Sequence, residues 1–97
     1  MAAYVIGTSE ITDPAGMEEY RNRVGPVIER YGGRFLAAGA PEVREGDLRP
    51  HVAVIIEFPS LDQARAWYDS ADYRDLKAVR QRSSRGTSLF LDGLPTS

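Results

Sequence analysis

The stretch Tyr31-Gly32-Gly33-Arg34-Phe35-Leu36 constrains this chain more than any other. An apolar pattern of helical period runs into Tyr31 and stops at a glycine pair. Gly32 can take the left-handed conformation that ends a helix, because it has no Cβ to clash. A strand pattern begins at once, opening on a charged residue, Arg34. A helix handed directly to a strand orders the elements on both sides of it.

Upstream, Tyr4 to Ile11 reads as a strand, with β-branched Val5, Ile6, Thr8 and Ile11. Thr12-Asp13-Pro14 is a helix start. Asp13 can accept from an orphan N–H, and Pro14 suits the first helical position, where no N–H is needed. Met17, Tyr20, Val24, Val27, Ile28 and Tyr31 then form one apolar stripe. Pro26 cannot bond to the carbonyl of Asn22, which predicts a kink or local break at Gly25-Pro26.

Downstream, Arg34 to Ala38 reads as the second strand. Gly39 to Pro50 is a loop or irregular hairpin, with Gly46-Asp47 at its tip. His51 to Phe58 is the strongest strand. Ser60 with Gln63 has capping-box spacing, and Leu61, Ala64, Trp67 and Tyr68 follow on a helix. Ser70 restarts the helical pattern, with Tyr73, Leu76, Val79 and Arg80 inward. Ser83 to Gly86 reads as a break, and Thr87 to Leu91 as the last strand. The order βαββαβ is the split βαβ, or ferredoxin-like, arrangement. The expected fold is α+β: one domain over 1–97, with a four-stranded antiparallel sheet and helices on one face.

The third strand carries a further message. Val52 to Ile56 are all apolar, although neighbours in a strand point to opposite faces. Helices cover only one face, so the other needs a partner. Two-fold self-pairing is the simplest solution and predicts a homodimer.

Composition narrows the classes of function. A net charge of −2 on 97 residues argues against general phosphate attraction, so no nucleic-acid partner is expected. The chain has no cysteine, which excludes disulfides, thiolate metal sites and a cysteine nucleophile. The opening Met-Ala-Ala-Tyr-Val-Ile-Gly lacks a basic n-region and a long apolar run. The longest apolar run is too short to cross a bilayer. The expectation is a soluble cytoplasmic protein with no membrane partner.

The candidate functional residues fall into four groups. Arg34 and Glu57 are charges inside apolar strands, and a hairpin turning near Gly46 sets them side by side. The plain reading is a buried ion pair that fixes register. The functional one has Arg34 binding an anionic group and Glu57 acting as a base. His51, the only histidine, could serve as a general base, but no orienting partner stands near it in sequence. One histidine and no cysteine make no zinc or iron site, so no metal is expected. Tyr20, Trp67, Tyr68 and Tyr73 read first as core. Of these, Trp67 and Tyr73 are the better candidates to line a pocket between helices and sheet. Arg80 separates from the other late cations because its helical position turns it inward, where it could bind an anion.

The segments Asp13-Pro14 through Tyr20-Arg21 and Tyr31 through Leu36 resemble domain-of-unknown-function family 1330. So do Ile56-Glu57-Phe58-Pro59-Ser60, Ala64 through Tyr68, and Tyr73 through Gln81. Leu48 and Val52 depart from the pattern, standing where the family tends to carry Trp and Arg. The resemblance covers nearly the whole chain and implies a dimeric α/β barrel, in which two ferredoxin-like subunits join sheet to sheet. Related branches of that superfamily include cofactor-independent monooxygenases and lactone isomerases. The leading expectation is therefore a small-molecule-binding protein, or a cofactor-independent enzyme on a compact organic substrate, with a small anionic ligand. The alternative is a non-catalytic ligand-binding or accessory dimeric module.

Overall fold

The computed structural model describes residues 1–95. Its elements are β1 (Ala3–Ile11), α1 (Pro14–Arg30), β2 (Arg34–Gly39), β3 (Val52–Phe58), α2 (Leu61–Tyr68), α3 (Ala71–Ser83) and β4 (Ser84–Asp92). The strands pair antiparallel in the order β2-β3-β1-β4. This is the ferredoxin-like α+β arrangement, its second helical layer split into α2 and α3. Among the described residues, no helix is long and apolar enough to cross a membrane.

Each helix starts on a capping side chain. Asp13 accepts from the Gly16 N–H at 3.3 Å, Ser60 from Gln63 at 3.1 Å and Ser70 from Tyr73 at 3.1 Å. The glycine pair ends α1 with two reciprocal bonds: the Gly32 N–H donates to the Glu29 carbonyl and the Gly33 N–H to that of Ile28, both at 3.0 Å. The two glycines serve different needs. Gly32 has φ +82°, which side-chain-bearing residues rarely adopt. Gly33 needs space, because a Cβ there would lie 2.6 Å from the Phe58 ring and 2.7 Å from Ile28.

Two local expectations are corrected. Helix α1 runs unbroken through Pro26. Asn22 and Pro26 are both exposed, so water can serve the carbonyl that the proline leaves unbonded. No break separates α3 from β4 either, since helix passes to strand between Ser83 and Ser84. The Ser83 carbonyl accepts the Thr12 and Asp13 N–H groups at 2.9 and 3.0 Å, tying this junction to the start of α1.

The core lies between the helices and one face of the sheet. Val5, Ile56 and Phe58 meet Met17, Val24 and Ile28 of α1 and Trp67, Tyr73 and Leu76 of α2 and α3. The opposite face carries three rows across the strands: Ala37-Ile55-Ile6-Leu89, Arg34-Glu57-Tyr4-Leu91 and Gly39-Ala53-Thr8-Thr87. Ile55, Leu89 and Leu91 are 37%, 58% and 56% exposed there, so this face leaves large apolar side chains uncovered in the protomer.

Candidate functional site

A cavity of about 290 Å³ lies between the helices and the sheet. Its size places it at the small end of ligand pockets. Val5, Val54 and Ile56 form its sheet side. Helix α1 contributes Met17, Tyr20 and Val24, and α2 and α3 contribute Trp67, Tyr73 and Arg80. Exposed Arg21, Phe35 and Ser88 stand at its rim.

Polar groups in this wall are few and connected. The hydroxyls of Tyr20 and Tyr73 share a hydrogen bond of 2.6 Å. The Arg80 Nε–H donates to the Tyr73 hydroxyl at 3.2 Å. The helical period makes this chain possible: Tyr73 and Arg80 are two turns apart on one face of α3, and Tyr20 reaches them from α1. Tyr73 also packs on Trp67, with ring centroids 4.2 Å apart, and Trp67 packs on Phe58 at 5.3 Å. Trp67 is 2% exposed, yet its Nε1–H finds no acceptor among the described residues.

Burial pushes the Tyr20 hydroxyl far above the ordinary phenol range, and the adjacent Tyr73 adds to the effect. Burial also raises Tyr73, although the bonds with Tyr20 and Arg80 pull the other way. For Arg80, burial pulls downward but is outweighed by the tyrosines, chiefly Tyr73, so the guanidinium holds its proton more firmly than usual. The wall thus presents neutral phenols beside a fixed cation. Arg80 has no carboxylate partner among the described residues.

The residues singled out in the sequence divide between three places. Trp67, Tyr73 and Arg80 share the cavity. Arg34 and Glu57 pair directly across β2 and β3, with the Arg34 Nε–H donating to Glu57 Oε1 at 2.8 Å. They sit on the uncovered sheet face, where the Arg34 side chain is 70% exposed and that of Glu57 25%. Within the protomer the pair is not buried: its register neighbour Ile56 takes the core side, so the two take the other. Arg34 therefore does not join Arg80 around one ligand within the protomer. His51 is exposed at the head of β3, where its Nδ1 accepts the Ile11 N–H at 2.8 Å and its own N–H donates to Ser9 at 2.9 Å. Those bonds strap β3 to the end of β1. Among the described residues no cluster of His, Asp and Glu could hold a metal ion.

Sequence reasoning read Tyr20 first as core and ranked it behind Trp67 and Tyr73 as a pocket residue. Its pairing with Tyr73 joins residues 53 positions apart, and nothing in either local pattern marks it.

Fold and site together define a ferredoxin-like α+β protein with an apolar cavity that holds a single arginine–tyrosine–tyrosine chain. The chain belongs to the family described as domain of unknown function DUF1330, whose model matches residues 2–94. No curated protein matches it in sequence. Among solved structures, it is similar to a protein of unknown function from Rhodopseudomonas palustris, at 20% identity and a TM-score of 0.79. That match covers 98% of this chain and 84% of the other. It is also similar to SnoaB, a cofactor-independent oxygenase from Streptomyces nogalater, at 14% identity, TM-score 0.68 and coverage of 98% and 95%. A dimeric ferredoxin-like protein of unknown function from Thermobifida fusca matches at 18% identity, TM-score 0.68 and coverage of 96% and 92%. At these identities the likeness is one of fold.

Proposed function

We propose that this protein binds a compact, apolar organic anion in the cavity between its helices and sheet. One observation carries the reading: Arg80, partly buried and without a carboxylate partner among the described residues, lines a largely apolar cavity of ligand size that has a second cation, Arg21, only at its exposed rim. A cation so placed favours a bound anion, since the apolar walls screen their attraction poorly. The walls supply the apolar contact that a small ligand needs.

The proposed working unit is a cytoplasmic homodimer joined through the uncovered sheet face. The exposed Ile55, Leu89 and Leu91 support it, and the Thermobifida fusca relative is described as dimeric. Arg34 and Glu57 lie on this face, so their role in the proposal is to pin the sheet-to-sheet contact rather than to serve the ligand.

A catalytic version of the reading rests on the SnoaB likeness together with the buried tyrosine pair. Such a site could stabilise negative charge that develops on a bound substrate. Without catalysis, the same geometry serves as a plain receptor. Titration with benzoate tests the binding reading. Arg80→Met should weaken benzoate by about 1.5–3 kcal/mol, the worth of a hydrogen bond to a charged group. Equal affinity in both proteins would refute Arg80 as the anion contact.

A further inference from the structure

The hydrogen bonds in the cavity wall can be counted proton by proton. A neutral phenol has one O–H to donate. Tyr20 and Tyr73 bring two such hydrogens, and their mutual bond uses one. Arg80 brings its own hydrogen to Tyr73, so it uses none of theirs. Whichever tyrosine donates to the other, one phenolic O–H stays uncommitted among the described residues. The Trp67 Nε1–H is also unpartnered among the described residues, but it is sealed from open space and so offers an occupant no donor. The guanidinium of Arg80 adds its Nη hydrogens, since among the described residues only Nε is engaged. No carboxylate or carboxamide side chain lines the cavity. The wall is therefore rich in donors and has no charged acceptor. A buried donor left without an acceptor is costly, and an occupant that brings acceptors removes that cost.

We propose that the cavity selects the ionised form of a weak apolar acid, an enolate or phenolate, over its neutral form. This rests on the ligand-cavity reading above and deepens it. The oxyanion sits against Arg80 and the free phenolic hydrogen. The neutral acid fits less well, because its own O–H meets a wall that also donates. An amine of the same shape fits worst: its hydrogens face donors, and protonation would set a cation beside Arg80.

Two isosteres separate these cases. 4-Nitrophenol can ionise, presents a nitro oxygen at its far end, and absorbs in the visible only as the phenolate. 4-Nitroaniline has the same shape but cannot become an anion at working pH. The wild-type protein should bind 4-nitrophenol more tightly by on the order of tenfold or more, as expected where one competitor leaves buried polar groups unmatched. It should also increase the visible phenolate band at a pH just below the probe's own pKa. Arg80→Met should remove most of this preference. Equal binding of the two isosteres, or a bound phenol with no gain in phenolate, overturns this inference and leaves the cavity reading standing. Failure of benzoate and of both isosteres to bind overturns the cavity reading as well.

Discussion

Tyr73→Phe tests the chain at the heart of the site. The substitution keeps the ring, so packing on Trp67 at 4.2 Å survives. It removes one hydroxyl that holds two bonds, one with Tyr20 and one from Arg80. Arg80 is only partly buried and can turn its freed Nε–H toward water. Tyr20 cannot: it is 9% exposed, and the Tyr73 hydroxyl is its partner. A buried hydroxyl left stranded costs about 1–3 kcal/mol, so Tyr73→Phe should destabilise by that amount. Tyr20→Phe is milder. Tyr73 keeps the Arg80 bond, so the loss is one neutral hydrogen bond, about 0.5–1.5 kcal/mol. The double variant strands no phenol and should cost less than the sum of the singles, with a coupling of about 1 kcal/mol. Urea unfolding of the four proteins measures this directly, provided the slopes agree and only the midpoints move. Additive costs, or a larger loss for Tyr20→Phe than for Tyr73→Phe, would show that the hydroxyl chain is not organised as described.

Three further outcomes follow from the same structure. Both phenols titrate higher in the folded chain than the ordinary value of 10.0. Above about pH 10 the unfolded chain therefore holds fewer protons, so stability falls with rising pH, while below it these groups contribute no slope. Urea melts through that range should show the decline, and Tyr20→Phe should reduce it. Gly33→Ala should cost about 1–3 kcal/mol by overpacking against Phe58 and Ile28, whereas Gly25→Ala, where an added Cβ meets nothing within 4 Å, should stabilise α1 by about 0.5–1 kcal/mol. A thermal melt that shifts both variants the same way would contradict the assigned packing. Finally, Leu89→Glu places a charge on the uncovered face, and light scattering at micromolar concentration should show the mass fall from dimer to monomer; a wild-type monomer would refute sheet-to-sheet pairing.

Local chemistry and periodicity were enough to order the elements. The caps Asp13, Ser60 and Ser70 and the stop at Gly32-Gly33 act within a few residues of themselves, so their signals lie in short stretches of chain. The Arg34–Glu57 pairing was legible too, because a hairpin turning near Gly46 sets positions 34 and 57 opposite each other. Its exposure was not. Which face a strand turns inward depends on the helices packed against it, and a one-residue difference reverses the outcome for every side chain. Pro26 looked like a breaker because the lost bond is visible in sequence, while the solvent that can replace it is a property of the folded surface. The site shows the same division. Arg80, Tyr73 and Trp67 could be nominated from helical spacing. The Tyr20 hydroxyl, the unpartnered Trp67 Nε1 and the separation of Arg34 from Arg80 arise only when α1, α3 and the sheet are packed together. Hydrogen bonds between elements distant in sequence leave no periodic trace, so the composition of the cavity wall was decided by tertiary structure alone.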